Sequence, residues 1–242
     1  MLIPARNEGC SIAKTILELH EILAGENIPH EILVVNDNSE DDTQAVLDGL
    51  KNTVPPLRTL FNPGPNGFGL AVRMGLENMA GDAVAVMMAD GSDSPLDLVK
   101  FYRKMAEGYD CVFGSRFIAG SEVRDYPALK LIINRTANTF IKTLFGFRYN
   151  DVTNAFKMYR VEVIHGLKPF LSHHFNLTVE LPLKAIVRGY SYAVLANSWR
   201  NRSAGESKLK IKEMGSKYLF IVIYCFIEKW LCAQDYSKKR GP

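Results

Sequence analysis

The chain has 242 residues, of which 47% are hydrophobic and 23% charged, and its formal net charge is +3. This length suits one large α/β domain or two small ones, and the composition is that of an ordinary globular protein. A chain so close to neutral lacks the overall basic charge typical of nucleic-acid binding, so we expect no nucleic-acid partner.

The first half of the chain alternates apolar strands with helices. Predicted strands cover residues 1–5, 31–35, 57–61, 83–88 and 111–114, and predicted helices cover residues 8–23, 41–50, 68–79 and 96–107. Unbroken apolar strands in this alternation predict a mostly parallel sheet covered by helices on both faces. Polar side chains follow the strands and should meet at one edge of the sheet, where ligands bind in open α/β folds: Asn7, Asp37, Asn62, Asp90 and Ser115.

The strand at 83–88 leads into the acidic loop, residues 89–95, which carries Asp90 and Asp93. Two carboxylates at the end of a buried strand suit a hard divalent cation such as Mg²⁺ or Mn²⁺, which often also holds a substrate phosphate. Asp and Ser before Pro95 also form ordinary turns and helix caps. The residues by themselves leave both interpretations open.

Two further turns have a functional and a structural interpretation. Asp37 suits hydrogen bonding to the base or ribose of a nucleotide, but its neighbours also favour an Asx turn. The glycines of residues 64–69 lack the G-x-G-x-x-G spacing of a dinucleotide site. They permit either close approach of an anion to a helix N-terminus or tight packing of helix on sheet.

The second half of the chain has a different pattern. We predict helices at 126–147, 177–188 and 214–233 and strands at 152–158 and 190–196. The first and last of these helices are apolar on one side with flanking basic residues, a pattern that fits packing on a core or lying on a bilayer. The longest apolar run, 219–227, is shorter than the roughly 20 residues that a membrane-spanning helix needs. We therefore predict a main domain at 1–208, which contains an amphipathic interface helix at 127–148, and a membrane-associating helix with a basic tail at 209–242.

The four cysteines, Cys10, Cys111, Cys225 and Cys232, lack the CxxC spacing of a zinc site. If Cys225 and Cys232 share a helix, their Cα atoms lie about 10 Å apart, too far for a disulfide. Reduced thiols are typical of the cytosol. Together with the amphipathic helices, they predict a peripheral or monotopic protein on the cytoplasmic side of a membrane.

Seven segments occur in the order found in GT-A glycosyltransferases of family 2, and the chain most resembles the dolichyl- or polyprenyl-phosphate mannosyl- and glucosyltransferases of that family. The resemblance covers nearly the whole chain. The segments are Ile3-Pro4-Ala5-Arg6-Asn7-Glu8, residues 31–43, Asn62-x-Gly64-x-x-Gly67-x-Gly69-x-Ala71, residues 83–95, Gly114-Ser115-Arg116, Asp151-x-Thr153-x-x-Phe156-Lys157 and Arg202-x-x-Gly205-x-Ser207-Lys208.

The resemblance implies a Rossmann-like GT-A fold in which residues 1–208 are catalytic and pass a sugar, with inversion, from a GDP- or UDP-sugar to a polyprenyl phosphate. It implies a donor pocket built from Pro4, Ala5, Asn7, Glu8, Asp37, Asn62, Gly67, Asp90, Arg202 and Lys208. It also implies Mg²⁺ or Mn²⁺ held by Asp90 and Asp93, an acceptor phosphate met by Arg116 and Arg135, and Asp90, Arg116 and Arg202 as catalytic residues. A membrane surface and a second copy of the chain are further expected partners.

One residue departs from the family pattern. The family's D-x-D motif has an acid where this chain has Met88, so Asp90 is the remaining acid and Asp93 is the candidate replacement. Met88 leaves open a second function, that of a catalytically silent nucleotide-sugar-binding protein. A further alternative is a family 2 enzyme that glycosylates a saccharide hydroxyl, which would need a base, with Glu180 or Asp125 as the first candidates.

Overall fold

The computed structural model describes residues 1–201 and 211–236. In the first half, strands and helices alternate as β1 (Leu2–Ala5), α1 (Gly9–Gly25), β2 (Ile32–Asn36), α2 (Thr43–Leu50), β3 (Leu57–Phe61), α3 (Phe68–Asn78), β4 (Ala83–Val86), α4 (Pro95–Ala106) and β5 (Cys111–Ser115). In the second half they follow as β6 (Val123–Arg124), α5 (Ala128–Phe145), β7 (Lys157–Arg160), α6 (Val161–Gly166), α7 (Leu177–Val187), β8 (Tyr192–Ala196), β9 (Trp199–Arg200), α8 (Ile211–Leu231) and α9 (Ala233–Tyr236).

Seven of these strands form one sheet in the order β3-β2-β1-β4-β7-β5-β8. All neighbours in it are parallel except β7, which runs antiparallel between β4 and β5. The predicted α/β fold with a mostly parallel sheet is therefore confirmed. Because β7 is reversed, the loop that precedes it reaches the same edge of the sheet as the carboxyl ends of the parallel strands.

Successive side chains of the central strands point to opposite faces and enter two separate cores. On β1, Leu2 belongs to the core covered by α3, α5, α6, α7 and α8, whereas Ile3 belongs to the core covered by α1, α2 and α4. On α1 the buried residues recur at helical spacing as Ile12, Ile16, Leu19 and Leu23. Full burial of both sheet faces explains why the strands are continuously apolar.

The prediction of a strand at 152–158 is wrong for its first five residues. The chain forms turns and loop before Lys157, where β7 begins, and the Asn154 amide donates to the Asp151 carbonyl across 3.1 Å. The apolar residues Val152 and Phe156 are both fully buried, but as parts of this loop. Sequence reasoning also missed the short parallel pair formed by β6 and β9.

The helices α5 and α8 each bury one side and expose apolar residues on the other. Ile141 and Phe145 of α5 and Ile221 and Val222 of α8 lie in the core. Exposed apolar side chains on the two helices include Leu129, Ile132, Ile133, Phe140, Leu219, Phe220, Ile223, Ile227, Trp230 and Leu231. None of the helices within residues 1–201 and 211–236 is both long enough and apolar enough to cross a membrane. The predicted domain boundary after residue 208 lies outside the described residues.

Candidate functional site

A polar cleft of about 490 Å³ opens at the carboxyl edge of the sheet. Residues that follow β1, β2, β4 and β5 line it, together with residues from the start of α3 and from α5, α7 and α8. The cleft brings together eight of the residues predicted from the sequence: Pro4, Ala5, Glu8, Asp37, Gly67, Asp90, Asp93 and Arg116.

Asp37 organises one end of the polar cleft. Its Oδ1 accepts a hydrogen bond from the Asn62 side-chain amide across 2.6 Å, and its Oδ2 accepts one from the Gly67 backbone amide across 2.8 Å. The carboxylate is buried. Asn62 is not among the residues that line the cleft, so its contact with Asp37 makes it a support for that carboxylate. Asp37 thus links its loop to the glycine turn, while the Asx-type hydrogen bond of the same loop is made by Asn36, whose Oδ1 accepts from the Ser39 amide across 3.0 Å.

Asn7 also supports the site from outside the cleft. It has a left-handed backbone conformation, with φ of 51°, and its side chain is exposed. Its amide donates to Ser39 Oγ across 3.0 Å, and its Oδ1 accepts from the Glu40 amide across 2.8 Å. These bonds join the loop after β1 to the loop after β2. The neighbouring Glu8 does line the cleft, and its amide donates to Thr43 Oγ1 across 2.9 Å.

The glycine turn before α3 is required for packing. A Cβ atom at Gly67 would lie 2.4 Å from the His173 carbonyl oxygen, and one at Gly69 would lie 2.7 Å from the Ser172 carbonyl oxygen. The Leu70 amide donates to the same His173 carbonyl across 3.2 Å. The structural interpretation of this turn is therefore correct, and Gly67 borders the cleft as well. His174, which follows the packed segment, also lines the cleft, a position that nothing in the sequence indicated.

The acidic loop places Asp90 and Asp93 in the cleft beside Met88. Asp90 Oδ1 accepts from the Ser92 amide across 3.0 Å, and Asp93 Oδ2 accepts from the Met88 amide across 3.2 Å. Burial raises the pKa of the Asp93 carboxyl to about 7, and the nearby Asp90 charge adds to this effect. A cation that enters the cleft would favour the ionised form of this buried carboxyl.

These two carboxylates fit a divalent ion that shares its remaining ligands with a diphosphate and water. Within residues 1–201 and 211–236 there is no group of three or more His, Cys, Asp or Glu side chains that could form a metal cage. Mg²⁺ is usually bound by one or two carboxylates together with substrate phosphates, rather than by a cage made only of protein ligands. The donor set of the acidic loop is consistent with that mode of binding.

Arg116 forms a buried ion pair with Asp151, a partner that the sequence analysis did not identify. Its Nε and one terminal nitrogen both donate to the Asp151 carboxylate, each across 2.8 Å, and its backbone amide donates to Asp151 across 3.0 Å. Both side chains are buried. The Asp151 loop is held in turn by Lys157, whose ammonium donates to the carbonyls of Val152, Asn154 and Thr178. Asp151 thus orients the guanidinium that faces the cleft.

Arg135 lies apart from the cleft. Its guanidinium stacks over the Phe117 ring, 4.4 Å from the ring centroid, and donates to the Asn150 carbonyl across 3.2 Å. Among the described residues, the cations that line the cleft are Arg6, Lys130, Arg116 and Lys217. Lys130 stands on α5 and Lys217 on α8, and sequence reasoning assigned neither to the site. Arg202, Ser207 and Lys208 lie outside the described residues.

The apolar groove is a second cavity, of about 300 Å³, between α5 and α8. Its apolar wall consists of Ile133, Ala137, Phe140, Ile141, Leu219 and Val222. Five residues border both the polar cleft and the apolar groove: Tyr126, Lys130, Asn134, Thr153 and Tyr218. The two cavities therefore meet at a junction that carries a lysine and two tyrosines. The amphipathic pattern of α5 and α8 predicted an apolar surface on each helix. It did not predict that this surface forms a groove that adjoins the polar cleft.

Comparison with known proteins identifies a matching family and two curated relatives. The family model described as "Glycosyl transferase family 2" matches residues 1–167. The polyprenol monophosphomannose synthase of Mycolicibacterium smegmatis is 30% identical over 86% of this chain and 80% of its own length. The dolichol-phosphate mannosyltransferase of Pyrococcus furiosus is 28% identical over 88% of this chain, which spans 59% of that longer protein.

Solved structures with the same fold include glucosyl-3-phosphoglycerate synthase from Mycobacterium tuberculosis. Its complex with Mn²⁺, UDP and glucosyl-3-phosphoglycerate has a TM-score of 0.67 and 16% identity, covering 94% of this chain and 78% of the other. Its complex with Mg²⁺ and UDP has a TM-score of 0.66, also at 16% identity, with 94% and 77% covered. At this identity the likeness concerns the fold, and it agrees with the GT-A architecture predicted from the sequence.

Proposed function

We propose that this chain, which belongs to glycosyl transferase family 2, transfers a sugar from a nucleoside-diphosphate sugar to a polyprenyl phosphate. One observation carries the choice of acceptor: the polar cleft continues into the apolar groove through five shared residues. A ligand that fills both cavities has a charged head and an apolar tail, which is the chemistry of a prenyl phosphate. Both relatives are named for mannose transfer to such a lipid, so mannose is the sugar that we propose first.

The donor would lie with its nucleoside between Glu8, Asp37 and Gly67 and its diphosphate against the acidic loop. Mg²⁺ or Mn²⁺ bound by Asp90 and Asp93 would neutralise charge that develops on the diphosphate leaving group. The family resemblance of the sequence implies a GDP- or UDP-sugar as donor, and the nucleobase is left to experiment. Arg202 and Lys208 stay candidate donor contacts on sequence grounds alone.

We place the acceptor phosphate at the junction of the polar cleft and the apolar groove. Lys130 borders both cavities, and Arg116 faces the cleft from the β5 end. Arg135 is a weaker candidate than the sequence indicated, because it stacks on Phe117 outside the cleft. The second pKa of a phosphate monoester is about 6, so the acceptor is largely dianionic at neutral pH. One of its oxygens attacks the anomeric carbon while the bond from that carbon to the diphosphate breaks.

This reaction needs positioning and relief of charge repulsion rather than a strong base. The alternative saccharide acceptor needs a base, and neither candidate borders the polar cleft. Both oxygens of the fully buried Glu180 accept hydrogen bonds: Oε1 from the Leu171 amide and Lys184, and Oε2 from the Ser172 amide. Asp125 is exposed. These positions favour the lipid phosphate over a sugar hydroxyl.

We further propose that the exposed apolar side chains of α5 and α8 lie at a membrane surface. Aromatic and aliphatic side chains beside basic residues are typical of helices that rest in the interface of a bilayer. Such a position would present the apolar groove to the lipid acceptor. Sedimentation with vesicles of anionic phospholipid tests this, and a protein that stays in the supernatant contradicts it.

Gly215 offers a direct test of the acceptor. It borders the apolar groove within α8, and a Cβ atom there would meet no other atom within 4 Å. Gly215→Leu therefore adds bulk beside the groove from a Cβ position that is open among the described residues, and it removes a poor helix former. We expect it to raise the KM for farnesyl phosphate while the KM for the sugar donor stays unchanged, with Gly215→Ala as the small control.

The assay compares GDP-mannose and UDP-glucose as donors, with Mn²⁺ present. Transfer to farnesyl phosphate supports the proposal, and transfer only to a saccharide supports the first alternative. Donor binding without transfer or hydrolysis at any Mg²⁺ or Mn²⁺ concentration supports the catalytically silent alternative. Unchanged lipid kinetics in Gly215→Leu would show that the prenyl chain binds elsewhere.

A further inference from the structure

The helices that enclose the apolar groove are joined to each other at one end. Along α5 the groove residues extend from Lys130 to Ile141, and along α8 they extend from Gly215 to Val222. At a rise of about 1.5 Å per residue, the groove follows α5 for about 16 Å from the junction with the cleft. One helical turn beyond the last groove residue on each helix stand Phe145 and Phe226, whose rings meet edge to face at 5.9 Å.

Lys229 strengthens this join. Its ammonium donates to the Phe145 carbonyl across 2.7 Å and lies 6.0 Å from the centroid of the Phe145 ring. Phe145 is the last residue of α5, where carbonyl groups lack partners within the helix and the helix dipole favours a positive charge. Lys229 thus caps α5 from a different helix and ties the two groove walls together.

The neighbouring residue fixes α8 to the rest of the protein. Glu228 accepts two hydrogen bonds from Arg188 of the segment after α7, across 2.7 and 3.0 Å. The side chains are 3% and 1% exposed. Arg188 also donates to the Gly166 carbonyl across 2.7 Å. Adjacent residues of α8 therefore hold α7 on one side and α5 on the other.

We infer that Lys229 is a positioning residue for the lipid acceptor: by capping α5, it sets the spacing between the helices at the far end of the apolar groove. The inference rests on the proposed function, since it needs a prenyl chain in that groove. A chain long enough to reach the join depends on this spacing, whereas a phosphate with a single isoprene unit binds near the junction and does not. Lys229 accordingly affects the KM for long acceptors and leaves the donor site unchanged.

The experiment measures KM and kcat for farnesyl phosphate and for dimethylallyl phosphate in the full chain and in Lys229→Met. We expect the KM for farnesyl phosphate to rise roughly three- to tenfold, which corresponds to losing one hydrogen bond of ordinary net strength at a half-buried side chain. The KM for dimethylallyl phosphate and that for the donor should not change. Lys229→Arg, which keeps a cation at the α5 terminus, should restore farnesyl phosphate kinetics.

Lys142→Met is the matched control, because Lys142 is an exposed lysine in the last turn of α5. It should behave as the unaltered protein. Phe226→Leu weakens the same join without changing charge and should shift acceptor preference in the same direction. If Lys229→Met and Phe226→Leu leave the KM for farnesyl phosphate unchanged, or raise it in parallel with that for dimethylallyl phosphate, the inference fails. If the unaltered protein transfers sugar to neither lipid, the proposed function fails instead.

Discussion

Asp93→Asn should stabilise the metal-free protein at neutral pH, because burial makes ionised Asp93 costly. The pKa of this carboxyl is raised from 3.8 to about 7. At a pH between these two pKa values, Asp93 is protonated in the folded state and ionised in the unfolded state. Unfolding therefore releases a proton, and a rising pH favours unfolding. The stability contributed by protonated Asp93 is fully present below about pH 4 and is lost as the pH rises through 7.

The magnitude follows from the size of the pKa shift. Each unit corresponds to about 1.4 kcal/mol, so the full range is worth up to about 4 kcal/mol. Asparagine has no charge to bury and keeps a side-chain oxygen that can accept the Met88 amide, as Asp93 Oδ2 does. The difference in unfolding free energy between Asp93→Asn and the unaltered protein should therefore be small near pH 4 and largest near pH 8.

Urea unfolding in EDTA across this pH range measures the difference. Asp48→Asn is the control of opposite sign, because hydrogen bonds from Lys51 and Gln44 lower the pKa of that exposed carboxyl. In Mn²⁺ with GDP or UDP, the unaltered protein should become more stable than Asp93→Asn. A ligand bound only to the folded state stabilises that state, and Asp93→Asn lacks one of the proposed metal ligands. A stability difference that stays constant from pH 4 to 8 would refute the reasoning about burial. Failure of Mn²⁺ to reverse the order would remove Asp93 from the metal site.

Two further substitutions test the site. Asp90→Asn should abolish metal-dependent transfer while the thermal unfolding midpoint in EDTA changes little; full activity with Mn²⁺ would remove Asp90 from the metal site. Gly67→Ala should lower the unfolding free energy by about 1–3 kcal/mol, the usual cost of overpacking, because its Cβ would lie 2.4 Å from the His173 carbonyl oxygen. Gly25→Ala, where a Cβ meets no atom within 4 Å, is the control, and equal urea midpoints for the two variants would contradict this explanation.

The local patterns that the sequence carries were sufficient for the parallel strands of the first half of the chain and for much of the site. Strand and helix periodicities place the parallel strands, and the polar residues that follow them meet at one edge, as at Asp37 and Asp90. This works because the position of a residue just after a parallel strand already assigns it to that edge. The order of the motifs added the family, which the family match confirms.

The roles of Asn7, Asn62 and Arg135 depended on contacts that no local pattern encodes. Asn7 joins two loops, Asn62 supports Asp37, and Arg135 turns to Phe117. Each was predicted to contact a ligand because its residue type and its place in a motif allow that role. Which neighbour a polar side chain meets depends on how the loops pack, and this is fixed only when the chain is folded.

By itself, the sequence determined the α/β architecture, the edge where the site lies and the acids that face it, because these depend on periodicity over short windows. Only the tertiary structure decided that Asp151 orients Arg116 across 35 positions of the chain and that Lys229 caps α5 across 84. The apolar groove likewise exists only because α5 and α8, far apart in sequence, pack beside the same cleft. Such contacts depend on the relative placement of whole elements, which the burial of their apolar faces fixes only in the complete fold.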